Sequence, residues 1–99
     1  MAEQESGGHI QNGSHLIYSY GCGTCHLIPG IGDALGTAGP PLQGFASRTY
    51  VAGVLPNTPD NLVHWISKPQ EITAGTAMPD LGVTKDQARD MAAYLYTLQ

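Results

Sequence analysis

Apolar positions recur at helical spacing in three separate parts of the chain. Between His9 and Gly21, the residues Ile10, Leu16, Ile17 and Tyr20 fall on one side of a helix, and Gly13 leaves room for close backbone approach. After Pro56-Asn57, Thr58 is placed to cap a helix with Pro59 at its first position; Leu62, Val63, Trp65 and Ile66 follow before Pro69 stops it. The last pattern is the clearest. Thr84-Lys85-Asp86-Gln87 fits a capping box, and Ala88, Met91, Ala92, Leu95 and Leu98 then repeat on one face, which predicts a helix reaching almost to Gln99. A further short helical region is expected around Ser47 to Leu55. No alternating run of β-branched residues survives the Gly and Pro punctuation, so the expected fold class is all-α.

Composition changes this picture in one respect. A chain of 99 residues makes one small domain with a thin core of its own, and 13 Gly and 7 Pro, concentrated between Ile28 and Pro79, leave long stretches without helix or strand. Such loops need something to fold against, and a flat, apolar guest would serve. The formal charge of −4 and the scarcity of Lys and Arg argue against a nucleic-acid partner. No apolar run is long enough to span a membrane, and the opening Met1-Ala2-Glu3-Gln4-Glu5 lacks the basic and apolar regions of a signal peptide. The expected organisation is a flexible segment or linker scar over 1–8 and a single domain over 9–99.

Chemistry is concentrated in Gly21-Cys22-Gly23-Thr24-Cys25-His26, which holds both cysteines of the chain. A structural zinc site needs four protein ligands, and beyond these residues the sequence offers only the scattered His9, His15 and His64. A thioredoxin-like redox pair would open a helix after a strand, whereas this pair follows a helix. Cys-x-x-Cys-His is also the attachment sequence of c-type haem. Cysteines three apart on a helical turn point the same way and can bond the two vinyl groups on one porphyrin edge, and His26 is then directed at the iron. Histidine leaves one axial position open. Met78, in Gly75-Thr76-Ala77-Met78-Pro79, lies in a Gly- and Pro-bounded loop off any amphipathic face, which suits a ligand better than core filling; Met91 belongs to the apolar face of the last helix and Met1 is terminal. His9, His15 and His64 read as surface or partly packed residues.

With these residues in place, the sequence resembles a class I c-type cytochrome over about 90 residues, and the resemblance implies the cytochrome c fold: N- and C-terminal helices crossing, with short helices and long loops wrapped around one covalently bound haem c. Gly13, Leu16 and Ile17 match the N-terminal helix, and Tyr94 with Leu95 the C-terminal helix. Gly39-Pro40-Pro41-Leu42 matches the Gly-Pro-x-Leu segment, implying that the Pro40 carbonyl accepts the other ring N–H of His26 and that Leu42 packs on the porphyrin. Arg48 aligns with the arginine near the haem propionates, with Tyr50 a weaker candidate for the same role. Trp65 falls where the family has an aromatic residue on the methionine side, and the Thr76 hydroxyl is implied to bond a propionate. Ala74 stands where mitochondrial relatives often have proline, and the spacing from Arg48 to Met78 is shorter than theirs, which bears on loop stiffness and propionate shielding.

Two strong axial ligands close iron to substrates and leave one-electron exchange between redox protein partners as the expected function, not enzymatic turnover, with a thioether ligand and burial favouring a high potential. The acidic balance allows a basic or largely apolar partner surface, and fusion to a terminal oxidase would need little electrostatic steering. A contact patch of Gly23, Thr24, Ile28 and Ala77 is expected around the exposed haem edge. The expected location is the periplasm or the outer face of the cytoplasmic membrane, as a monomer, with the targeting segment absent from this chain. The alternative is a haem-based sensor of small molecules in which a labile Met78 bond opens the iron.

Overall fold

The computed structural model describes residues 8–99. Four helices carry the architecture: α1 (Ile10–Ser19), α2 (Pro59–Ser67), the single turn α3 (Pro69–Ile72) and α4 (Lys85–Leu95). Short 3-10 turns at Cys22–Thr24 and Phe45–Ser47 punctuate the long connection between α1 and α2. Of the segment 1–8, residues 1–7 lie outside the described residues. Gly8 lies within them, is buried, and leaves no room for a Cβ against the Arg89 carbonyl.

The terminal helices α1 and α4 cross at Gly13. A side chain there would run into the main-chain carbonyl of Asp90, so hydrogen is the only substituent that the crossing accepts. On α4, Ala88, Ala92 and Ala93 are fully buried. Polar bonds bracket the apolar seam. Asp90 accepts the His9 main-chain N–H at 2.8 Å and the Asn12 amide at 2.5 Å, while the Tyr20 hydroxyl donates to Gln87 Oε1 at 2.6 Å. Asp90 therefore serves the His9 main-chain N–H and the Asn12 side chain at the start of α1 from across the crossing.

Helix α4 also packs on α2, and the core between them and α1 contains Ile17, Leu62, Val63, Ile66, Met91 and Leu95. Both anticipated caps form. Thr58 accepts from Asn61 N with Pro59 in the first turn, and Thr84 and Gln87 make the reciprocal capping box. Pro69 ends the preceding helix and is itself almost fully buried as the start of α3. The last helix stops at Leu95, earlier than its apolar repeat predicts, because the chain tightens into turn bonds from Thr97 N to Tyr94 O and from Leu98 N to Leu95 O.

The long loops are held by specific bonds. Ala46 N donates to Leu98 O, Asn57 donates to the carbonyls of Phe45 and Arg48, and the Tyr96 hydroxyl closes the set on Asn57 Oδ1.

The fold is all-α in its load-carrying parts, with one correction. The helical region expected at Ser47 to Leu55 is a 3-10 turn followed by a two-stranded antiparallel hairpin, β1 (Tyr50–Val51) and β2 (Leu55–Pro56), in which Tyr50 pairs with Pro56 and Val51 with Leu55. Ala52 and Gly53 take φ of 55° and 74°, the positive pair that tight hairpin turns require and that a helix cannot contain. Val54 N closes the turn on Val51 O, and Pro56, which has no N–H to give, sits at the edge.

Replacing Gly13 by alanine distinguishes packing from propensity. Helix propensity alone favours alanine by about 1 kcal/mol; the obstruction at Asp90 involves backbone that cannot swing away, so Gly13→Ala is expected to destabilise by about 1–3 kcal/mol instead. Denaturant unfolding checks this by a lowered midpoint at an unchanged slope.

Candidate haem site

The site begins where α1 ends. Tyr20 closes the helix, Gly21 turns with φ of 74°, and Cys22, Gly23 and Thr24 form one 3-10 turn. His26 N donates to Cys22 O at 3.0 Å, which draws the histidine back over the turn carrying the cysteines. Both thiols are free; Cys22 is half-buried against the core and Cys25 is exposed. Burial pushes the Cys22 thiol up, so it rests as a neutral thiol.

The 34–42 segment frames this turn from the other side. Gly36 N bonds Gly23 O at 3.0 Å, Gly39 N bonds Cys25 O at 2.7 Å, and Leu42 N bonds Leu27 O at 2.8 Å. The frame delivers Gly39 against the imidazole of His26, where a Cβ would overlap the ring, and brings the Pro40 carbonyl to 2.8 Å from His26 Nδ1. A carbonyl only accepts, so Nδ1 carries a proton and Nε2 is the nitrogen left to present a lone pair to a ligand partner. His26 is thus oriented as a ligand by its own chain. Leu42 is half-buried against the core beside this frame.

Arg48 donates to the Pro41 carbonyl and lies over the Phe45 ring, 5.7 Å from its centroid. Its guanidinium therefore braces the residue after Pro40, with further N–H groups left over for an anion. Tyr50 is on β1 with its ring 56% exposed. Trp65 is half-buried against the core on α2, and Thr76 and Met78 are half-buried in the loop after α3.

That loop is tied by a residue that sequence reasoning missed. Gln70, on α3, donates from Nε2 to Thr76 O at 2.7 Å and to Met78 O at 2.9 Å, accepts from Gly75 N at 3.0 Å, and offers its own main-chain N–H to Asp80 at 3.1 Å. Its only signal in the sequence is a long amide directly after the proline that precedes the loop.

The contact patch needs one correction. Ile28 is 2% exposed, its amide bonded to Ala34 O and its side chain in the core, so it cannot meet a partner; Leu27 and Leu35, which form a bridge, are the exposed apolar residues nearby. Gly23 is half-buried, and Thr24 and Ala77 are exposed.

An attachment pair on one turn, an imidazole with Nε2 available, and half-exposed Leu42 and Trp65 fit a flat prosthetic group with an axial position. Zinc does not suit the arrangement, and among the described residues no group of three or more His, Cys, Asp or Glu side chains is placed to hold a metal ion.

These features fit a haem-carrying domain. The chain belongs to the cytochrome c family: the family described as "Cytochrome c" matches residues 10–99, and with it come haem c as cofactor and electron carriage as activity. The chain is also similar to "Cytochrome c oxidase subunit 2" of Alkalihalophilus pseudofirmus, with 33% identity over 88 residues, covering 88% of this chain and 25% of that protein. The chain therefore spans about a quarter of that relative's length. Among the described residues no helix is long and apolar enough to cross a membrane.

A second bond ties the attachment segment to α4. The Tyr94 hydroxyl donates to Pro29 O at 2.5 Å, and desolvation pushes the phenol above its ordinary value of 10.0. A phenol raised in the folded state contributes stability that is present below the unfolded value and is lost as pH rises through the folded one. The native protein should accordingly lose more stability than Tyr94→Phe between pH 9 and about pH 11, read as the difference in denaturant midpoints.

Proposed function

We propose that this domain is a one-electron carrier with a single six-coordinate haem c, attached through Cys22 and Cys25 and ligated by His26 and Met78. The observation that carries the reading is the bond from His26 Nδ1–H to Pro40 O, which presents Nε2 from the same turn that presents the two cysteines. Bound haem supplies a ferric/ferrous couple. The chain's residues do the rest. Cys22 and Cys25 would hold the haem by thioethers, Pro40 would fix the imidazole plane and strengthen His26 as a ligand, and Met78 would take the remaining position and so exclude substrate. Leu42 and Trp65 pack on the porphyrin faces and keep water away; Arg48, Tyr50 and Thr76 serve the propionates, Arg48 with the donors not spent on Pro41. A thioether ligand in an apolar surround favours the reduced state and sets the couple toward the oxidising end of a respiratory chain.

The relative named as an oxidase subunit supports a place beside, or fused to, a terminal oxidase, in the periplasm or on the outer face of the cytoplasmic membrane. In this reading residues 9–99 form the monomeric carrier domain, with Gly8 packed against it at Arg89, and the partner surface is basic or apolar, in keeping with the charge of −4.

The test is an absorption spectrum of protein expressed with c-haem maturation machinery. A low-spin c-type spectrum with the weak far-red sulfur-to-iron band is expected, and Met78→Ala should abolish that band, lower the potential and bind carbon monoxide rapidly when reduced. Fast carbon monoxide binding by the unaltered protein would instead make it a small-molecule sensor. Cys22→Ser with Cys25→Ser should release the haem on acid-acetone extraction; retention after that treatment would refute the covalent attachment.

A further inference from the structure

We infer that Gln70 is a positioning residue that keeps Met78 on the iron and thereby excludes external ligands, an inference that rests on Met78 being the second axial ligand. The stretch from Thr73 to Asp80 contains no helix or strand, yet one residue ties it at four places. Gln70 Oε1 takes the Gly75 N–H at 3.0 Å, Nε2 gives its two hydrogens to Thr76 O at 2.7 Å and Met78 O at 2.9 Å, and the Gln70 main-chain N–H meets Asp80 Oδ1 at 3.1 Å. The amide can sit only one way round: reversed, its oxygen would face two carbonyls and its NH2 would face an N–H.

The anchor itself is fixed. Gln70 follows Pro69, which is almost fully buried, and Thr73 N returns to Pro69 O at 2.9 Å to close the turn. The main chain of Met78 is therefore bound to the core through Gln70, independently of anything its sulfur does. When the thioether lets go, the backbone does not follow, and Sδ stays within reach at a high effective concentration. An external ligand binds only the open fraction, so its apparent affinity scales with that fraction. Releasing the backbone enlarges the open fraction, and the outcome is a change of class, from a closed carrier toward a ligand-binding haem.

The test compares haem-loaded wild type, Gln70→Ala and Gln70→Glu by imidazole titration of the ferric form, with the far-red band followed on warming. Gln70→Glu keeps the shape and an acceptor for Gly75 but sets oxygen against the Thr76 and Met78 carbonyls. Both variants are expected to bind imidazole at least tenfold more tightly and to lose the band at lower temperature. In a Met78→Ala background, the same substitutions should leave imidazole affinity within twofold, which general loosening of the fold would not. Should Gln70→Ala fail to fold, Gln70→Glu decides. Imidazole affinity within twofold of wild type in Gln70→Glu, with the band intact, overturns the role of Gln70 alone; a wild-type protein without the band overturns the Met78 reading and this inference with it.

Discussion

The structure depends on the crossing of α1 and α4 at Gly13. Neither helix is long enough to be stable alone, and the two come close because Gly13 on one lets the main chain of Asp90 and Met91 on the other lie against it. Asp90 takes part twice, its carbonyl set against Gly13 and its carboxylate bonded to His9 and Asn12. Everything that matters for haem is suspended from this crossing. The attachment turn leaves the end of α1, Tyr94 on α4 holds Pro29 four residues past Cys25, and Leu98 beyond α4 holds the Ala46 loop that leads to Arg48.

A second level of constraint is made of backbone amides. The segment 22–28 and the segment 34–42 contain no paired strands of any length, yet they are joined by repeated main-chain bonds that have the effect of a short irregular ribbon. This resolves the excess of glycine and proline. Gly39 gives the imidazole its space and Pro40 gives it an acceptor, and a side chain at Gly39 would move the ring. The methionine side follows a different logic, since it is held by one amide side chain and not by a ribbon. His26 is thus oriented by main chain on both sides, whereas Met78 depends on a single residue for its backbone position.

What could be read in the sequence follows from how local each determinant is. The helices α1, α2 and α4 were legible because burial of one face repeats every three to four residues, and the caps at Thr58 and Thr84 because their partners are three residues away. The attachment turn was legible for the same reason, its chemistry being contained in five consecutive residues. The hairpin at Tyr50–Pro56 was not, since two paired residues per strand leave no period to detect and its turn is set by Ala52, a residue that seldom takes positive φ. Ile28 was misplaced because an apolar residue beside a motif carries no sign of which way it faces; the Ala34 bond that turns it inward is formed six residues on.

Gln70 and Arg48 show the harder case. Both act through hydrogen bonds to carbonyls, which every residue possesses, so no pattern of partner residues marks them. Arg48 also shows how a bond within the protein bears on a role assigned from resemblance. Its guanidinium spends one donor on the Pro41 carbonyl, directly beyond the carbonyl that orients His26, and the positive charge is held over the Phe45 ring. The guanidinium is thereby held next to the segment that orients His26, one residue beyond Pro40. Between the two carbonyls Pro41 locks φ and leaves its ψ as the one soft torsion, so the Arg48 contact and the carbonyl that orients His26 are separated by a single freely turning bond.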